Sequence, residues 1–194
     1  NPTAPAPLFF TMHCDSGFFG NIDFHKRLWK PDTLLQQGFI VVYIQSSQQL
    51  SSKGFGWEMN TEQSQIDFQQ CFSEVMEKYL INTNKIIVSG FSGGATTSID
   101  IAINGKLPIR GFIALCPDKP KQFSIDICKN ANQRGTSGVL LVGEQIKDDP
   151  DFLDLVDTLN AARFRYDLII NEGIGHWYPE ILSEKLSHAI PFIL

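Results

Sequence analysis

Apolar residues along the chain fall into two alternating patterns. Short runs rich in β-branched and aromatic residues, at 8–12, 39–44, 85–89, 109–116, 139–142 and 165–170, each predict a strand. Between them lie segments with helical spacing. One covers 23–37, is interrupted near Pro31 and stops at Gly38. Another covers 61–80, with Thr61 as its cap and Ile66, Phe68, Phe72, Val75, Met76 and Tyr79 on its apolar face. A third follows the 85–89 run and ends near Gly105. A fourth starts at Pro150, carries Asp151 and Asp154 in its first turn, and reaches about Ala162; a last one spans 179–190. Residues 1–7, with three prolines, read as an extended lead-in, 45–60 as a polar loop and 117–134 as irregular. Several strands are apolar without alternation, which marks a parallel sheet covered on both faces. The expected fold class is α/β: a three-layer α/β/α sandwich with a mostly parallel central sheet, one domain over residues 1–194 and no cap domain.

Composition narrows the function classes. A chain of 194 residues with 43% hydrophobic and 19% charged residues can bury a substantial core. A net charge of -5 offers no attraction for nucleic acid or anionic lipid, and no apolar run approaches the length of a membrane span. The four cysteines, Cys14, Cys71, Cys116 and Cys128, are widely spaced without a Cys-x-x-Cys pair, so free thiols are expected rather than a metal knuckle or a disulfide framework. The sequence starts at Asn1 without a signal peptide. Cytoplasmic residence is the expectation, with a processed, secreted form left open. Oligomeric state is not legible.

The chemistry concentrates at Gly90-Phe91-Ser92-Gly93-Gly94. An apolar strand leads in and a run of small residues, Ala95-Thr96-Thr97-Ser98, leads out as a helix start. Gly-x-Ser-x-Gly in that setting is a nucleophile elbow. A serine on so sharp a turn has strained backbone angles, and its neighbours must lack side chains to avoid the adjacent strands. The helix that follows aims free N–H groups at the reaction centre. Rival motifs fail: no lysine completes a phosphate-binding loop, Ser92 stands where a dinucleotide fingerprint needs glycine, and no His-Glu-x-x-His offers a metal site.

In an open parallel sheet, function gathers at the C-terminal ends of the strands. His13, Cys14 and Asp15 follow the first strand there, and His176 follows the last, in Gly173-Ile174-Gly175-His176-Trp177-Tyr178. His176 is the expected general base, because imidazole titrates near neutral pH and flanking glycines let a loop aim it. Asp148, after the fifth strand, is the preferred acid, with Asp149, Glu144 and Asp118 as alternatives. Gly93 and a donor from Cys14 or Asp15 would form the oxyanion hole. Trp57, Phe18, Cys116 and Trp177 are candidates for the substrate pocket, with Phe19 and Phe55 beside them.

These residues resemble the α/β-hydrolase superfamily, and the likeness runs over nearly the whole chain. Gly-Phe-Ser-Gly-Gly is similar to the elbow, Val-Gly-Glu with Asp148 to the acid loop, Gly-Ile-Gly-His-Trp-Tyr-Pro-Glu to the histidine loop of small carboxylesterases, and His13 with its Gly-containing loop to the oxyanion segment. Two departures stand out: Cys14 replaces the usual glycine, and the interval before Asp148 is long. The resemblance implies hydrolysis of small carboxylic esters by Ser92, His176 and Asp148, without metal or cofactor. A non-catalytic binding protein on the same fold, or a peptidase or acyltransferase with the same triad, would share these features.

Overall fold

Six of the apolar runs meet edge to edge in the computed structural model, which describes residues 4–194. The elements in chain order are β1 (Ala6–Met12), α1 (Ile22–Leu28), α2 (Asp32–Gln36), β2 (Ile40–Ile44), β3 (Gln48–Gln49), β4 (Phe55–Gly56), α3 (Thr61–Lys78), β5 (Ile81–Phe91), α4 (Gly93–Asn104), β6 (Gly111–Leu115), α5 (Ile125–Gln133), β7 (Ser137–Gly143), α6 (Pro150–Ala161), β8 (Tyr166–Asn171) and α7 (Leu182–Ile193). The main sheet runs β2-β1-β5-β6-β7-β8 and every pairing in it is parallel.

Strand side chains alternate between two buried faces, which is why the runs show no polar alternation. Leu8, Phe10 and Met12 of β1, Ile86 and Val88 of β5, and Leu140 and Val142 of β7 join Phe68, Ile99, Cys128 and Leu155 from α3 to α6. Phe9, Ile87, Val139 and Leu141 point the other way, toward Trp29, Leu34 and Leu186 from the α1, α2 and α7 side. The chain first steps from β1 outward to β2, then returns to β5 on the other side of β1. That reversal opens a crevice at the C-terminal ends of β1 and β5, the position where open α/β sheets hold ligands.

Four local readings are corrected. β1 starts at Ala6, inside the expected lead-in, because Ala6 pairs with Ile81 and its N–H donates to the Leu80 carbonyl; the register shifts at Pro7, which has no N–H to give. Residues 1–3 of that lead-in lie outside the described residues. Asn60, not Thr61, caps α3, its side chain accepting from the N–H groups of Glu62 and Gln63. The stretch before Arg134 contains α5, capped by Ser124, with Cys128 and Ala131 buried at helical spacing. The polar loop after β2 holds the short β3–β4 hairpin. The four cysteines are free thiols, three of them buried. Among the described residues, no helix is long and apolar enough to cross a membrane.

Candidate active site

Ser92 sits on the turn between β5 and α4 with φ 55° and ψ -125°, a backbone conformation that costs a non-glycine residue roughly 1–3 kcal/mol. Its N–H donates to the Leu115 carbonyl at 2.9 Å, and its carbonyl accepts from the N–H groups of Ala95 and Thr96 at 2.8 and 3.0 Å. The glycines on either side make the turn possible by close approach. A Cβ on Gly90 would lie 2.4 Å from the Gly94 carbonyl, and one on Gly94 would lie 2.3 Å from the carbonyl oxygen of His13. The elbow is thus pressed against the end of β1.

That end of β1 is rigidly built. The Ser46 N–H donates to His13 Nε2 at 3.2 Å, so Nε2 is the unprotonated nitrogen and Nδ1–H donates to the Cys14 carbonyl at 2.8 Å. Burial holds the His13 pKa down at about 4, which keeps the ring in this neutral form. The Asp15 carboxylate then ties the loop after β1 to the loop after β4, accepting from the N–H groups of Trp57 at 2.8 Å and Glu58 at 3.0 Å. It also covers Gly93: a Cβ there would be 2.1 Å from Asp15 Oδ1. Among the described residues, the N–H groups of Asp15 and Gly93 donate to no acceptor. They are donors of the kind a developing oxyanion needs. Trp57, expected at the substrate pocket, is fully buried, its ring 5.2 Å from that of His13, and supports the loop from within the core.

Carboxylates crowd this side of the crevice. Burial, then the charges of Asp15 and Asp118, push Glu58 up to about 7, with Lys121 opposing. Burial also raises Asp15 and Asp118. These shifts and those of the buried histidines act on stability in opposite senses. His13 and His25 have an ordinary pKa of 6.5, lowered to about 4 and about 3 in the fold, so as pH falls below 6.5 the unfolded chain takes protons the folded one refuses. Each histidine is expected to remove on the order of 1 kcal/mol of stability per pH unit through that window. Glu58 holds a proton in the fold between pH 4.5 and about 7 and offsets part of the loss. Urea unfolding from pH 7.5 to 4.5 should therefore show falling stability, and Glu58→Gln should steepen the fall by up to one proton.

The loop carrying His176 is fixed at both ends. At its start, Glu144 accepts from the Gly173 N–H at 3.0 Å, the Gln145 N–H donates to the Ile174 carbonyl at 3.0 Å, and Gln145 Nε2 donates to the Gly173 carbonyl at 3.1 Å. At its other end, the Tyr178 hydroxyl meets His25 Nδ1 at 2.8 Å, and His25 Nε2 meets the Thr11 hydroxyl at 2.8 Å. His25 is a fully buried link between β1, α1 and this loop. The His176 ring rests against Phe91, the residue before Ser92, at 5.2 Å. His188 pairs with Asp167 at 2.7 Å on the surface.

His176 shares a cavity of about 60 Å³ with Cys116, Asp118, Ile146, Asp149 and Phe152. Burial lowers its pKa, and the charges of Asp118 and then Asp149 oppose that. Asp148, the preferred acid from sequence, is exposed and does not line the cavity; a 3-10 turn at Glu144–Ile146 follows β7 and places Ile146 there, and Asp149, also exposed, borders it one residue later. Asp149 also caps α6 through the Asp151 N–H, at 3.0 Å, while the Asp118 N–H donates to the Thr96 hydroxyl at 3.0 Å. Among the described residues, no hydrogen bond joins His176 to Ser92 or to a carboxylate. Cys116 is buried, with φ 51° and its thiol 3.9 Å from the Trp177 carbonyl. Phe18 and Trp177 are exposed at the rim. A groove of about 890 Å³ lies on the other side of the His176 loop, lined by Arg27, Lys30, Gln145, Trp177 and Glu180, and neither Ser92 nor His176 lines it. Among the described residues, no three His, Cys, Asp or Glu side chains converge on a metal-sized site.

Several solved structures share this architecture. An uncharacterized protein from Bacillus cereus ATCC 10987 superposes with a TM-score of 0.84 at 24% identity; the match covers 100% of this chain and 61% of that one. A carboxylesterase from Mesorhizobium loti gives 0.67 at 14% identity over 94% of this chain and 87% of that one. A ferulic acid esterase gives 0.66 at 14% identity over 100% and 86%. At these identities the likeness is one of fold, and the fold is that of the α/β-hydrolases. No protein-family model and no curated protein sequence matches the chain.

Proposed function

We propose that this protein is a serine hydrolase that cleaves small carboxylic esters through an acyl-enzyme. The observation that carries the reading is the backbone of Ser92, held at φ 55° on a strand-to-helix turn at the reversal point of the sheet, with His176 packed against the preceding residue. Ser92 Oγ attacks the ester carbonyl while His176 takes its proton. The N–H groups of Gly93 and Asp15 hold the oxyanion. His176 then protonates the departing alcohol, and water repeats the sequence on the acyl-enzyme. A loop movement that brings the His176 ring to Ser92 Oγ belongs to substrate binding, since catalytic hydrogen bonds often tighten only in the complex. Turnover of p-nitrophenyl acetate by the purified protein, with a burst of one product per protein molecule, tests the proposal; no hydrolysis above buffer would refute it.

Asp118 is the carboxylate assigned to orient His176. Its charge acts on the ring more strongly than that of Asp149, which is already engaged as the cap of α6. Asp118→Asn is expected to lower kcat on the order of 10²-fold. Asp149→Asn should cost less, and Asp148→Asn should stay within about twofold because its side chain is outside the cavity. Steady-state kinetics on the three variants checks the order. The pH profile follows from the same site. A base must be unprotonated to act, and burial places the His176 pKa below its ordinary 6.5, so kcat/KM should rise through a midpoint below pH 6.5 and then level off. A midpoint above 6.5 would contradict that assignment.

One observation favours a second reading, a binding protein that does no chemistry: the Asp15 carboxylate stands beside the oxyanion donors, where its charge opposes a second negative charge. In that case the burst is absent while the fold remains intact.

A further inference from the structure

Large aromatic side chains are normally buried, and three near this site are not: Phe18 is 62% exposed, Phe19 40% and Trp177 46%. They come from opposite ends of the chain, the loop after β1 and the loop after β8, and meet beside the Ser92 turn, where Trp177 touches Phe91 and also lines the groove on the other side of the His176 loop. Phe18 and Phe19 pack edge to face at 4.9 Å, and Phe19 meets Trp177 edge-on at 6.5 Å. Phe24 buttresses both, 4.6 Å from Phe19 and 6.2 Å from Trp177. Trp177 continues inward to Phe91 at 6.2 Å, and Phe91 immediately precedes Ser92 and supports His176. An unbroken aromatic run therefore leads from the residue beside Ser92 out to solvent at Phe18. The other flank, with Asp15, Glu58 and Asp118, is acidic, so the two sides of the crevice differ chemically.

Contiguous exposed apolar surface of this kind marks a place where something binds. Mutually perpendicular rings leave faces and edges open to a further ring, which gains offset-stacked or edge-to-face contacts that a saturated group of equal size cannot make. Resting on the hydrolase reading above, we propose that the Phe18–Phe19–Trp177 wall selects esters that carry an aromatic ring, in either the acid or the alcohol portion, two or three bonds from the reacting carbonyl. The ring lies along the wall while the carbonyl reaches Ser92.

The test uses two pairs of esters matched for size and reactivity: benzyl acetate against cyclohexylmethyl acetate, and methyl 3-phenylpropanoate against methyl 3-cyclohexylpropanoate. The insulating carbons keep the chemistry of each pair alike, so the ratio of kcat/KM values reports recognition of the ring. The first pair locates it in the alcohol, the second in the acid. The expected result is a preference of roughly tenfold for the aromatic member of at least one pair, expressed mainly in KM. Phe18→Leu and Trp177→Leu should each bring that ratio toward one, a change that a purely structural role would not produce. A wild-type ratio near one in both pairs overturns the proposal, as does a ratio that survives both substitutions, or a protein that labels at Ser92 with a fluorophosphonate yet turns over neither pair. Failure of both labelling and turnover would remove the hydrolase reading itself, and this proposal with it.

Discussion

Replacing Ser92 by alanine is expected to lower ester turnover by at least about 10³-fold, to the level that an oxyanion site and binding alone can sustain. The expectation follows from where the hydroxyl is held. Ser92 adopts φ 55°, a strained conformation that places its side chain at the tip of the turn, and the close approaches at Gly90 and Gly94 keep that turn sharp. Alanine accepts the same backbone as well as serine does, so Ser92→Ala should fold normally and lose only the nucleophile. His176→Ala should fall by a comparable factor, and the double variant should be little worse than either single one, because the two groups act as a unit. Steady-state kinetics on the three variants checks both points. Full activity in Ser92→Ala would leave the elbow without a chemical role.

Gly94→Ala is expected to be strongly destabilising. A Cβ at this position would lie 2.3 Å from the His13 carbonyl oxygen and 2.6 Å from that of Met12, and neither backbone atom can step aside without moving the end of β1. The anchors of that strand end, His13 with Ser46 and Asp15 with Trp57 and Glu58, would have to shift as well. Overpacking against backbone costs roughly 3 kcal/mol here, at the upper end of the usual range and a large share of a typical domain's stability. Gly17→Ala is the control. Its new methyl group would meet only the Ser51 side chain, Cβ at 3.6 Å and Oγ at 3.7 Å, ordinary contact, and its urea midpoint should match the wild type. Equal midpoints for Gly94→Ala and the wild type would show that β1 and the elbow are not packed as described.

The elbow was legible from sequence because every device it needs is local: an apolar strand, glycines at two fixed offsets and a run of small residues that can start a helix. The sheet was legible for a related reason, since strands buried on both faces leave unbroken apolar runs. What escaped was set by distant partners. The Gly143–Asp149 stretch does not reveal that a 3-10 turn takes up three residues and brings in Ile146 ahead of Asp149. Nothing around His25 announces Thr11 on one side and Tyr178, 153 positions along the chain, on the other. Trp57 lies in a polar loop, yet the interlocking of that loop with the one after β1 buries it completely. The α5 helix was hidden because its apolar face is short, resting on Cys128 and Ala131, although Ser124 ahead of it is a usable cap signal.

The most direct test of Ser92 as an activated nucleophile is the intact mass of the protein after exposure to a fluorophosphonate probe at neutral pH. The reagent reports on nucleophile, base and oxyanion donors together, and needs no knowledge of the natural ester. One adduct per chain, mapped to Ser92 and absent from Ser92→Ala, is the expected result. A folded protein that gains no adduct, or gains one at another residue, would contradict it.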